Sequence, residues 1–146
     1  MKKLTLSTIA FMALAACEVG VGYPPVGGGG HAHSYGAPHV THTYSECYYQ
    51  RSFGEYVWEF EADVTHTYSV DEVAEVWVDV YADGYFVYSQ SLDLSNINYS
   101  GNISYWGDWT LESHAHGLYC DSPVRYEIVT TAYDYYGNYD STIDYF

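Results

Sequence analysis

Lysine is almost missing from this chain. Lys2 and Lys3 stand at its very start, and Arg51 and Arg125 are the only other fixed cations among 146 residues. Against them stand 19 aspartates and glutamates, the first of them at Glu18. Phosphate backbones are held by Lys and Arg that displace counterions, so this balance excludes nucleic acid as an expected partner. It speaks equally against direct attraction to anionic headgroups. Long apolar runs are missing too. The stretch from Leu4 to Ala16 is softened by Thr5, Ser7 and Thr8, and falls short of the ~20 residues a membrane-crossing helix needs. There is no Gly-x-Ser-x-Gly, no His-Glu-x-x-His and no phosphate-cradling glycine loop. Ser113 adjoins His114, but adjacency in sequence is not catalytic geometry. A non-catalytic protein is expected.

The charged start, the short apolar run and the small residues Ala15 and Ala16 read as a secretory signal over residues 1–16. Leu14-Ala15-Ala16-Cys17 resembles the lipobox of bacterial lipoproteins. That resemblance implies an acylated Cys17 as the first residue of the mature chain, with the membrane as a partner through several acyl chains. Glu18 rather than Asp after the cysteine implies, by the same resemblance, an outer-membrane destination in the cell envelope.

Cleavage before Cys17 leaves 130 of the 146 residues, enough for one domain and a tether. Both lysines depart with the signal, so two arginines face 19 carboxylates and the formal charge becomes −17. Such a charge favours solubility and loose attraction of cations. Residues 17–43 hold Pro24, Pro25, the run Gly27 to Gly30, Gly36 and Pro38, with almost no apolar periodicity, and read as a flexible tether. The domain is expected over residues 44–146.

Of the three cysteines, Cys17 is assigned to lipid. Cys47 and Cys120 remain, an even pair in an exported and oxidising setting, and a disulfide is the default. The alternative, a metal site using both thiolates, lacks a second Cys near either one.

From Cys47 onward the period becomes two. Tyr56, Trp58, Phe60, Ala62 and Val64 alternate with Glu55, Val57, Glu59, Glu61 and Asp63, which describes a strand with one buried and one wet face. Ala74, Val76, Val78 and Val80 repeat the pattern. Asp83-Gly84 then supplies a tight hairpin turn, and Tyr85 to Leu92 returns as the partner strand. Two short strands, Ile103 to Trp106 and Trp109 to Leu111, are expected around Gly107-Asp108. A last pair runs from Val124 to Tyr133 and from Tyr139 to Phe146, and Asp71-Glu72-Val73 can open a single helical turn. About seven short strands predict an all-β antiparallel sandwich.

The segment from Tyr126 to Asn138 resembles the closing hairpin of bacterial immunoglobulin-like and fibronectin III-like domains, with Ala132, Asp134, Gly137 and Asn138 in register with an Ala-x-Asp-x-x-Gly-Asn turn. The resemblance implies an immunoglobulin-like fold and names no ligand. The chain departs from the antibody pattern: Cys47 and Cys120 are placed just before strands, and Trp77 falls on the polar face. The disulfide is therefore expected to pin loops or strand ends rather than cross the core.

Three sets of residues offer chemistry. His31, His33, His39 and His42 in the tether, with His114 and His116 beyond, are candidate ligands for zinc, copper or nickel, against a plain reading as polar spacers. No other cofactor is implied. Trp77, Tyr81, Tyr133, Tyr135, Tyr136 and Tyr139 fall on the outer face or in the terminal turn, where Tyr and Trp make contact surfaces for an envelope protein or a glycan. Their alternative is cross-strand pairing that merely stabilises the sheet. Glu59, Glu61 and Asp63 share a strand face, and Asp134 and Asn138 are oxygen donors in the closing turn, yet no calcium loop is present. The expected role is adhesion or recognition at the cell envelope. A metal-binding lipoprotein and a structural envelope part without its own ligand are the alternatives.

Overall fold

A computed structural model describes residues 36–146. They form seven antiparallel strands: β1 (Pro38–Gln50), β2 (Glu55–His66), β3 (Val73–Ala82), β4 (Tyr85–Asn98), β5 (Ile103–Leu111), β6 (Tyr126–Asp134) and β7 (Tyr139–Tyr145). One 3-10 turn, Val70–Glu72, leads into β3, with the Ser69 side chain accepting from the Asp71 N–H. The strand order is β1-β2-β5-β4-β3-β6-β7. β4 serves both halves, since residues 85–92 pair with β3 and residues 93–98 pair with β5. The sheet therefore curls on itself through β4.

The curl brings the two end strands together. Thr43 Oγ1 donates to Asp144, the Val40 N–H donates to Asp140 at 3.0 Å, and His39 Nδ1 lies 2.7 Å from the same carboxylate. The pairs 39/140 and 43/144 keep one sequence offset, so β1 and β7 run parallel there. Carboxylates on an edge strand discourage further strand addition, and here they also hold the neighbour.

The core follows the period-two reading. Trp58, Phe60, Ala62 and Val64 from β2 face Val76, Val78 and Val80 from β3, with Tyr126, Ile128 and Ala132 from β6. Trp58 is fully buried; its ring stacks on Phe60 at 6.0 Å and meets Tyr126 and Phe146 edge-on at 5.6 and 4.6 Å. Tyr126, at the start of β6, turns its hydroxyl back to the preceding loop. It accepts from the Tyr119 N–H at 2.9 Å and lies 3.3 Å from the Tyr119 carbonyl. The bond ties the loop before β6 to the first residue of that strand. At Asp83 and Gly84, φ values of +50° and +81° make the β3–β4 turn the tight hairpin expected of Asp-Gly.

Several details differ from the sequence reading. β1 begins at Pro38, inside the stretch expected as tether, so His39 and His42 are strand residues. Its pattern was masked because Thr41 is inserted as a bulge between Val40 and His42, breaking parity, and because the positions facing β2's core residues Phe60 and Ala62 are Ser45 and Thr43. Residues 103–111 form one strand, not two. Gly107 pairs with Glu61 on one side and Asp93 on the other, so central pairing overrides the turn propensity of Gly-Asp. The strand count stays at seven because these two differences offset each other. Finally, Cys47 lies within β1 and Cys120 in the β5–β6 loop. Their disulfide, with Cα atoms 5.8 Å apart, ties an outer strand to that loop, beside Trp58, the cross-strand neighbour of Cys47.

Candidate functional site

The outer face of β3, β6 and β7 is built by register. Odd positions of β3 point away from the valine core, and the ladders carry that face across the neighbouring strands. Tyr133 pairs with both Glu75 and Tyr139; Thr131 with Trp77 and Ser141; Val129 with Asp79 and Ile143; Glu127 with Tyr81 and Tyr145. Four of the six aromatic residues singled out from sequence, Trp77, Tyr81, Tyr133 and Tyr139, thus share one continuous face. Tyr135 and Tyr136 lie in the β6–β7 turn at its end, 71% and 74% exposed. The rings of Tyr133 and Tyr139 are 5.8 Å apart, and Tyr81 meets Phe86 edge-on at 5.8 Å.

Ile143, Tyr145 and Val129 complete the face and were not singled out from sequence. The alternation Tyr139, Ser141, Ile143, Tyr145 carried the signal. Ile143 and Tyr145 are 48% and 57% exposed. Arg125 sits with its guanidinium carbon 3.9 Å from the centre of the Tyr145 ring, so the face already holds one cation on an aromatic surface. Glu75, Asp79 and Glu127 are interleaved with the rings. Burial raises the Tyr133 hydroxyl pKa above its usual value, and Asp79, Glu75 and Tyr139 add to the shift.

The outer face of β1, β2 and β5 carries four carboxylates, Glu46, Glu59, Glu61 and Asp63. Glu46 stands directly across from Glu59, Tyr44 from Glu61, and His42 from Asp63. The Tyr44 hydroxyl donates to Glu46 at 2.7 Å, and that bond is the main reason its pKa is raised. Tyr48 is raised chiefly by burial and then by Glu59. Both outer faces therefore mix rings with carboxylates: this one also carries Tyr44, Tyr48, Tyr105 and Trp109, the last stacked on Phe53 at 5.2 Å.

The histidines are dispersed. His31 and His33, like Cys17, lie outside the described residues. His39 is bound to Asp140 at the β1–β7 seam, His42 lies on the outer face of β1, β2 and β5, and His114 and His116 are exposed in the β5–β6 loop. Among the described residues no group of three or more His, Cys, Asp or Glu side chains is placed to hold a metal ion.

One histidine escaped the sequence reading altogether. His66, at the end of β2, is fully buried, and no cluster in the sequence marks it. Its Nδ1 accepts from the Tyr68 N–H at 3.2 Å, which leaves the ring proton on Nε2, 3.5 Å from Asp134 Oδ2. That is an electrostatic contact rather than a full hydrogen bond. Asp134 is the hub of the closing turn: it accepts from the backbone N–H groups of Tyr136 and Asn138 and from the Asn138 amide, at 2.9, 2.8 and 2.7 Å. Its oxygens are thus committed to the fold. Burial alone would raise its pKa, but the bonds from Asn138 and Tyr136, with His66 behind them, outweigh it and leave the pKa lowered.

A depressed carboxylate stabilises the fold above its unfolded-state pKa of ~3.9, and this contribution fades as pH falls through the lower folded value. Replacing Asp134 with Asn should therefore cost about 2 kcal/mol near pH 6, the scale of hydrogen bonds to a charged group. The deficit should shrink below pH 4. Urea midpoints at pH 6, 4 and 3 test this; a deficit independent of pH would contradict it.

No family model matches the chain, and neither curated proteins nor solved structures give a match.

Proposed function

We propose that this is a non-catalytic recognition module of the cell envelope, lipid-anchored through Cys17, which binds a basic protein surface with the outer face of β3, β6 and β7. The observation that carries the reading is the placement of Trp77, Tyr81, Tyr133, Tyr139, Ile143 and Tyr145 on one sheet face. Aromatic side chains anchor protein interfaces, and contiguous exposed apolar surface marks interaction sites. The choice of a basic partner follows from charge. Glu75, Asp79 and Glu127 stand among the rings, and the Arg125–Tyr145 stack is an internal example of the contact a partner's arginine or lysine would make. The lipobox of Cys17 supports the anchor, and the Cys47–Cys120 disulfide is in keeping with an oxidising compartment.

Tyr139→Ser combined with Ile143→Ser tests the face without touching the core. Retention of the full chain on envelope membranes from source cells that lack it should fall at least roughly tenfold, as expected for losing interface anchors. It should also weaken with added salt, because a cationic partner is screened. Retention equal to the parent chain, or retention by a protein-free glycan fraction instead, would overturn the reading. The anchor is tested separately by labelled palmitate: incorporation should vanish in Cys17→Ser, and a chain never labelled contradicts the lipoprotein assignment.

A further inference from the structure

A second site lies apart from that face, where the β1–β2 hairpin meets the loop between β5 and β6. Tyr49, Tyr56 and Tyr119 line an open groove there with Glu55, Glu112 and Ser113. The Tyr49 and Tyr56 rings are cross-strand partners, 5.5 Å apart and inclined at 79°, so the edge of one meets the face of the other. Tyr49 and Tyr119 keep 55% and 54% of their surface in water although both lie beside well-packed structure.

The groove is held rigid from both sides. Glu55 accepts from the Ser113 N–H at 3.2 Å and Glu112 from the Cys120 N–H at 3.1 Å, so each carboxylate is fixed by the loop it faces. The Tyr126 hydroxyl holds the Tyr119 backbone, and the Cys47–Cys120 disulfide ties that loop to β1 two residues before Tyr49. Preorganised walls lose little entropy on binding. The lining is anionic: it holds two glutamates and no Lys or Arg. The field reaches Tyr56, whose pKa is raised first by Asp121, with Glu112 contributing.

We infer that this groove binds a small organic cation, a primary or quaternary ammonium group held against the tyrosine rings and neutralised by Glu55 and Glu112. Tyrosine faces attract ammonium groups through the ring quadrupole, and several rings with nearby carboxylates form the arrangement that recognises alkylated ammonium groups. A metal ion would find two carboxylates here, too few for the six to eight oxygens calcium takes. A sugar would use the rings but has no need of the uncompensated charge.

The test is titration of the full chain with tetramethylammonium and with cadaverine, followed by calorimetry and by intrinsic fluorescence. Saturable binding is expected, with no response to 3,3-dimethylbutanol, a neutral alcohol with the branched bulk of an alkylammonium. Tyr119→Ala removes a half-exposed ring and should weaken binding roughly tenfold, and Glu55→Gln should do likewise. Tyr99→Ala, in the distant β4–β5 turn, should leave it unchanged. Far-ultraviolet circular dichroism confirms that each variant is folded, and Tyr49→Ala replaces any that is not. No saturable response to either cation, equal binding of the neutral alcohol, or a response only to neutral sugars would each overturn the inference. None of these outcomes bears on the outer face of β3, β6 and β7.

Discussion

Trp58→Ala should cost about 3–5 kcal/mol of folding free energy, the usual range for deleting a buried aromatic side chain. The indole is fully buried and touches Phe60, Tyr126 and Phe146, so truncation opens a cavity between the two halves of the sheet. The surrounding rings sit on β2, on β6 and just past the end of β7, and cannot close on the gap together. For a domain of this size, the loss corresponds to a fall in Tm of about 10–20 °C. Trp58→Phe isolates the cost of the indole N–H. The indole N–H is buried without a hydrogen-bond partner, so the tryptophan carries a desolvation cost that phenylalanine lacks. The phenylalanine variant should lose less than half as much as the alanine variant. Thermal unfolding of both measures the ratio, and equal losses would show that the N–H is satisfied in solution.

Removing the disulfide should have an effect of similar size. Cys47 and Cys120 are 73 residues apart, and opening a loop of that length releases about 4 kcal/mol of unfolded-chain entropy in the simplest model. The bridge also fixes the one loop that carries Tyr119, and it joins β1 beside Trp58. The Cys47→Ser, Cys120→Ser double variant should therefore melt about 10–20 °C lower while keeping its far-ultraviolet spectrum at low temperature. A shift of only a degree or two would mean that the bridge constrains little that the sheet does not already hold.

Strands that bury one face completely were legible in the sequence. β2 and β3 show it best: each places Val, Phe, Trp or Ala at alternate positions against charged residues, and burial follows that alternation from Trp58 to Val64 and from Val76 to Val80. The closing turn was legible as well, because Asp134, Gly137 and Asn138 each have a backbone task there. β1 was not legible. A strand at the end of the sheet needs few apolar residues, and its bulge at Thr41 shifts the parity on which a period-two reading depends. β4 was cut short for a related reason: beyond Leu92 it moves from β3 to β5, and Asp93, Ser95 and Asn96 are exposed and give no apolar signal.

The candidate site was half legible for the same physical reason. Parity assigns a side to each residue but says nothing about which strands lie next to one another. Trp77 and Tyr139 are 62 positions apart, and only the order β3-β6-β7 puts them on one surface. The tyrosine groove depends on more still, since Tyr49 and Tyr56 meet through a hairpin while Tyr119 arrives from a loop fixed by the disulfide. His66 illustrates the converse case. A lone histidine in a threonine-rich segment carries no sequence signal, and its burial against Asp134 is set entirely by where β6 ends.

The proposed role has the outer face of β3, β6 and β7 meet a basic protein in the envelope. The most direct test places a photo-crosslinking amino acid at position 143, and separately at position 61 on the outer face of β1, β2 and β5, in cells making the full chain. Irradiation is expected to give one discrete protein adduct from position 143, with a partner rich in Lys and Arg, and none from position 61. The adduct should disappear when Tyr139→Ser is added. Adducts of equal strength from both positions, or only from position 61, would contradict the account.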